Sequence, residues 1–140
     1  MQNHDSLKLE NQLSFPLYAC SKEIVRQYRE LLEPLDLTYT QYLVLMVLWE
    51  KEECSVKALG DILYLDSGTL TPVLKTLEKK GFITRRRFAQ DERILVINIT
   101  ESGIALRDEV LRFPKEAAVN AKLEPEEAAE LYRILYKLLK

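Results

Sequence analysis

Apolar residues recur at helical spacing through most of the chain and change to strand-like runs in one region. Leu17, Tyr18, Ile24, Val25, Tyr28, Leu31 and Leu32 follow the helical period, and Pro34 ends the segment. Ser14-Phe15-Pro16 can open this helix, because proline is tolerated in a first turn, although Leu7, Leu9 and Leu13 point to helical residues beginning earlier. Either way Pro16 is expected to mark an irregularity. Thr38-Tyr39-Thr40-Gln41 reads as a capping box, with Leu37 and Tyr42 placed as the hydrophobic staple. The helix behind it, to about Glu50, is apolar on nearly every side and belongs in the middle of a core.

Ser55 is placed to cap a short helix with Val56, Leu59, Ile62 and Leu63 on one face, and Asp66, after the brief link Tyr64-Leu65, to cap another. In the second of these, Leu70, Val73, Leu74 and Leu77 form a buried stripe, and Gly81 is the stop. The opposite side displays Gly68, Pro72, Lys75, Thr76 and Lys79, flanked by Thr69 and Thr71, so it is small, hydroxylic and basic. Beyond Gly81 the period changes: Phe82 to Arg87 and Arg93 to Ile99 predict a hairpin whose mobile tip is Phe88-Ala89-Gln90-Asp91-Glu92. Thr100-Glu101-Ser102-Gly103 starts another helix, interrupted at Pro114, and a last helix spans Glu124 to Leu139. That last helix carries apolar residues on too much of its circumference for the surface of a monomer.

Composition narrows the class. The chain has 140 residues, 47% hydrophobic and 30% charged, which suits one globular domain with a real core and excludes both disorder and a disulfide scaffold. The longest apolar run, Tyr42 to Trp49, is too short to span a bilayer, and the first five residues lack a signal-peptide pattern, so the expectation is a cytoplasmic protein with no membrane role. A net charge of −2 argues against nucleic acid only if it is spread evenly. It is not: Asp66 to Ile97 holds seven basic residues against four acidic ones, a net of +3, which leaves −5 elsewhere. Catalysis finds no support, since His4 is the sole histidine, no glycine loop suits a phosphate and no Cys/His cluster has metal spacing. No cofactor is implied.

A helix, a tight turn, a second helix with a polar outward face and then a basic hairpin make up a winged helix-turn-helix, mainly α with a small β-hairpin wing. A helix of ordinary diameter enters the major groove of double-stranded DNA, while a thin arginine-tipped hairpin reaches the minor groove. Ser67, Thr69, Thr71 and Lys75 are the candidates for base readout, and Arg85, Arg87 and Arg93 for phosphate or minor-groove contact. Asp91, two residues before Arg93, is positioned to hold its guanidinium. Taken singly, the lysines read equally well as a solvated face and the arginines as a protected strand edge. Their common order and spacing favour DNA. A helical adaptor that binds only protein would explain the apolar terminal helices but not the arginine hairpin.

Tyr64-Leu65-Asp66-Ser67-Gly68-Thr69-Leu70-Thr71-Pro72-Val73-Leu74-Lys75, with Asp91-Glu92-Arg93 and Ile97-Asn98-Ile99-Thr100-Glu101-Ser102-Gly103, resembles the MarR family of dimeric bacterial repressors. Leu9-Glu10-Asn11-Gln12-Leu13, Leu37-Thr38-Tyr39 and Leu48-Trp49-Glu50 are similar to its organic-hydroperoxide-sensing OhrR branch. The resemblance implies a homodimer on a pseudopalindromic operator. It also implies a dimerisation region at about 7–33 and 104–140, and a winged helix-turn-helix at about 38–100. In the sensing branch a reactive cysteine follows the Leu9 to Leu13 stretch, hydrogen-bonded to two tyrosines. Here that position is Ser14, while the matching tyrosines Tyr28 and Tyr39 are present, so the sensor pocket is expected to surround a residue incapable of thiolate chemistry. Two explanations are compatible with this: a replacement that locks a reduced-like state, or divergence toward another signal, which Pro16 favours. Cys20 is a minor redox candidate and is better read as a small core hydrophobe. Cys54 is expected in an exposed polar stretch between helices, and no disulfide is expected in a reducing compartment. The family resemblance also allows a small aromatic or phenolic effector, with Tyr18, Tyr28, Tyr39, Tyr42 and Trp49 as possible lining residues, although these also suit simple packing.

Overall fold

Helix α1 (Ser14–Leu32) begins at Ser14, so Pro16 falls within the first turn, where its missing N–H removes no helical hydrogen bond. The irregularity expected there does not occur, and the helix is continuous to Leu32. The earlier helical start suggested by Leu7 and Leu9 resolves into two short 3-10 turns, Asp5–Leu7 and Leu9–Asn11. In this computed structural model, which describes residues 2–140, the chain divides into two compact units: Leu32–Leu111, and the chain before Leu32 together with Arg112–Lys140.

The first of these units contains α2 (Tyr39–Lys51), β1 (Glu53–Ser55), α3 (Val56–Leu63), α4 (Ser67–Lys79), β2 (Ile83–Phe88), β3 (Asp91–Ile99) and α5 (Glu101–Val110). Four of its helices start on side-chain caps: Thr38, Ser55, Asp66 and Thr100 accept from the backbone N–H of Gln41, Ala58, Thr69 and Gly103. At α2 the Gln41 side chain completes the capping box by accepting from Thr38 N at 3.1 Å. Val44, Leu45 and Leu48 of α2, Leu59 of α3, Leu70, Leu74 and Leu77 of α4, and Ile83 and Ile97 of the sheet are all buried. Each such side chain contributes about 1.5–3 kcal/mol relative to exposure. Ile62, expected on the buried face of α3, is exposed. Trp49 closes the packing of α2 on α5 by donating its indole N–H to Gly103 O at 2.8 Å.

The sheet has three strands in the order β1-β3-β2, all antiparallel, where the sequence predicts two. The extra strand pairs Glu53 with Asn98, Cys54 with Ile97 and Ser55 with Val96. Three residues are too few to show a period of two, which is why the segment reads as a polar link. The pairing also buries Cys54 against the expectation of exposure, and burial pushes its thiol pKa up. Cys20, expected in the core, is instead exposed on α1, and both thiols are free. The hairpin is longer than expected: pairing from Ile83↔Ile99 to Arg87↔Leu95 is followed by Phe88↔Asp91, so β3 starts at Asp91, two residues before the expected strand. The turn shrinks to Ala89 and Gln90, and the register shift absorbs Glu92, Arg93 and Ile94 as an irregularity in β3.

The other unit holds most of α1, then α6 (Phe113–Glu116), with Pro114 in its first turn, and α7 (Pro125–Leu139). At the start of α7 the Glu127 carboxylate accepts from Glu124 N at 3.0 Å. Large apolar side chains in this unit face solvent in the single chain, among them Leu7 (77% exposed), Leu13 (72%), Tyr18 (61%) and Tyr132 (65%). No helix among the described residues is long and apolar enough to cross a membrane.

Candidate nucleic-acid interface

The turn between α3 and α4 is tight enough that Gly60 and Leu65 meet through their backbones, Leu65 N donating to Gly60 O at 3.0 Å. Tyr64 caps α3 in the left-handed region, at φ 57°. Asp66 then starts α4, its carboxylate accepting from Thr69 N at 2.7 Å. That bond holds the Asp66 carboxyl pKa below its ordinary value and favours the charged form at a helix N-terminus.

Ser67, Gly68 and Thr69 are exposed in the first turn of α4, and Lys75 and Lys79 are exposed farther along with no ion pair among the described residues. Thr71 is half-buried and donates its hydroxyl to Ser67 O at 2.7 Å, so only its oxygen lone pairs remain for a ligand. Thr76 makes the same kind of bond to Pro72 O at 3.0 Å. At Pro72 the carbonyl that loses its donor belongs to Gly68, on the exposed face, where solvent can reach it. At the far end, Lys80 donates to Gln41 Oε1 at 3.3 Å and to the Asp36 carbonyl, which ties the end of α4 to the start of α2.

The three consecutive arginines of β2 have three different fates. Arg85 points inward and its Nη2 donates to Glu78 Oε1 of α4 at 3.0 Å; its side chain is only 23% exposed, and its buried Nε has no hydrogen-bond partner among the described residues. The expected role of Arg85 as a DNA-facing cation therefore does not match its placement. Arg86 lies on the other face of the sheet, donating to Asn98 Oδ1 at 3.3 Å and Glu53 Oε2 at 3.2 Å, while Asn98 Nδ2 donates to the same Glu53 oxygen at 2.9 Å. Arg87, toward the tip, is exposed and makes no ion pair among the described residues. Neither the Glu78 partner nor the Arg86 network follows from the sequence pattern. The opposite charges flanking the Gly81 turn were the available sign of the first.

Near the hairpin turn, Asp91 grips Arg93 on three atoms. Asp91 Oδ1 accepts from Arg93 N and Nε, and Oδ2 accepts from Nη2, each at 3.0 Å. The Arg93 side chain is nevertheless 90% exposed, so it is a cation held in direction and presented to solvent. These bonds pull the Asp91 carboxyl below its ordinary pKa and raise that of Arg93. The pair opens only as pH falls through the depressed Asp91 value.

Ser14 opens α1 and is exposed, and Tyr28 lies on the same helix, half-buried. Fourteen residues of helix separate them, about 21 Å at 1.5 Å per residue, so a single α1 does not bring the two together. Tyr39 is the first residue of α2, in the other unit, with its ring 6.2 Å from that of Tyr42. Tyr42 is buried and its ring lies 6.3 Å from that of Trp49, whose indole N–H is taken by Gly103 O.

Two helices about a tight turn, the second exposing a small basic face, with a hairpin beside it that presents a clamped arginine, define a winged helix-turn-helix transcriptional regulator. The chain belongs to the SarA/Rot family of transcriptional regulators, whose profile matches residues 26–110. It is 48% identical over 135 residues to the organic hydroperoxide resistance transcriptional regulator of Bacillus subtilis, covering 96% of this chain and 92% of that protein. Its fold is similar to that of AbfR, solved reduced and bound to DNA, with a TM-score of 0.81 and 33% identity over 99% of this chain and 96% of that one. AbfR has also been solved in overoxidised and disulfide forms. Staphylococcus aureus MepR, solved with DNA, is similar at a TM-score of 0.81 and 26% identity, covering 91% of this chain and 96% of that one.

Proposed function

We propose that the chain is a cytoplasmic homodimeric repressor that binds a pseudopalindromic operator in double-stranded DNA. One observation carries this reading: the Asp91-clamped, solvent-facing Arg93 stands in the same compact unit as a recognition helix whose exposed face bears Ser67, Thr69 and a lysine, Lys75, with no ion pair among the described residues. Ser67, Thr69, Thr71 and Lys75 read base edges in the major groove, Thr71 as an acceptor only, while Arg87 and Arg93 reach the minor groove or its phosphates. Arg85 is reassigned from DNA contact to support of the wing. The exposed apolar residues of the N-terminal segment and α7 support association through the unit that lacks the DNA-facing helix. Two lobes then engage half-sites about 34 Å apart, and an effector acts by changing that spacing.

The similarity to an organic-hydroperoxide regulator supports a place in the oxidative-stress response, and in this reading Ser14 stands where the family resemblance implies the sensing thiol. A serine hydroxyl forms no sulfenic acid, so organic hydroperoxide leaves this chain on its operator and releases a Ser14→Cys variant. Gel-shift titrations of both proteins before and after cumene hydroperoxide test this. Release of the wild-type chain itself would overturn the proposed loss of sensing and move attention to exposed Cys20.

A further inference from the structure

Glu78 and Arg85 join the two elements that face DNA. Glu78 lies in the last turn of α4, where the helix dipole disfavours a carboxylate, and Arg85 lies on β2, two residues inside the exposed Arg87. Their 3.0 Å contact bridges the turn at Gly81. Arg85 Nε is buried without a partner among the described residues, a feature that costs stability. An acid at the unfavourable end of a helix and an orphaned guanidinium nitrogen are poor choices for stability alone. They make sense where a defined distance between helix and strand matters more.

We propose that Glu78 and Arg85 are positioning residues that set the wing's stance beside the recognition helix, so that Lys75 and Arg93 engage adjacent grooves together. The inference rests on the operator-binding reading. A rigid brace at the base of a two-stranded hairpin controls its far end: Arg93 lies near the turn, and a small rotation of β2 about its start moves that guanidinium by far more than it moves Arg85. Operator contact by both elements requires their spacing to match adjoining grooves, whereas loose contact with any duplex does not. The brace therefore acts on discrimination and leaves general attraction to phosphate unchanged.

The rival role for Arg85, direct phosphate contact after release from Glu78, predicts the opposite sign. Removing the Glu78 charge would free Arg85 and tighten binding, whereas removing half of a brace weakens it. The test uses the full chain and a duplex that the wild type selects from a random pool, with a scrambled duplex beside it. Glu78→Gln and Arg85→Met each weaken the selected duplex about tenfold, and the double variant loses no more than either single one. Affinity for the scrambled duplex and the slope of log K against log salt stay at wild-type values.

Tighter or unchanged binding by Glu78→Gln overturns the proposal. So does a salt slope lowered by about one in Arg85→Met, the mark of a lost phosphate contact. A lower melting temperature with unchanged affinity of the folded protein assigns the pair to stability alone and also overturns it. Arg93→Ala separates the two readings: if it weakens the selected duplex while Glu78→Gln does not, the brace fails and the interface stands. If Arg93→Ala also binds as the wild type does, the interface reading fails and the brace falls with it.

Discussion

Replacing Arg93 with alanine weakens operator binding by about 1–3 kcal/mol, roughly 5- to 150-fold, and leaves the fold and the oligomeric state intact. Among the described residues the side chain bonds only with Asp91, at the exposed end of the hairpin, so its loss removes no core contact. What is lost is a cation presented in a fixed direction, with little rotamer freedom left to surrender when DNA arrives. Asp91→Ala keeps the charge but frees it, and a smaller weakening is expected, with the salt slope unchanged. Titration of a labelled operator at fixed salt, with circular dichroism of each variant, checks both. Operator affinity equal to wild type in Arg93→Ala would remove the wing from the interface.

Gly60→Ala strikes the turn from within. A β-carbon at residue 60 would stand 2.6 Å from Leu65 O and 3.4 Å from Leu70 Cδ1. The nearest atom is backbone, held by the return hydrogen bond from Leu65 N to Gly60 O, so it cannot swing away as a side chain would. Relief requires α3 and α4 to part, against the burial of Leu59, Leu70 and Leu74. The expected cost is about 1–3 kcal/mol, seen as a melting temperature lower by several degrees. Operator binding falls as well, because the recognition helix is tilted by the same movement. An unchanged melting temperature would show that the turn is looser than its backbone contacts indicate.

Legibility from sequence followed how local each determinant is. The starts of α2, α3, α4 and α5 were readable because each is fixed by a hydroxyl or carboxylate three residues before its target N–H, a relation contained in four letters. Asp91 and Arg93 were readable for the same reason, their partnership spanning two residues. β1 was not, since Glu53–Ser55 becomes a strand only by pairing with Val96, Ile97 and Asn98, far along the chain. Cys54 inherits its burial from that pairing, which explains the error about its exposure. Cys20 differs the other way: a small apolar residue on an amphipathic helix reads as core, while much of α1 presents its apolar side to solvent in the single chain. For Arg85 and Arg87, alternation placed both on one face, but only the packing of α4 beside β2 decides that Arg85 is captured by Glu78 and Arg87 is not. Charge counting along the chain treated the two alike.

In the proposed assembly, two winged lobes of a dimer grip one symmetric operator. Footprinting the wild-type chain on a duplex it selects from random sequence, across a series of salt concentrations, tests it most directly. Two protected half-sites related by a two-fold axis are expected, centred about 10 base pairs apart, with log K falling linearly against log salt. A single unsymmetrical site, or binding indifferent to salt, would contradict it.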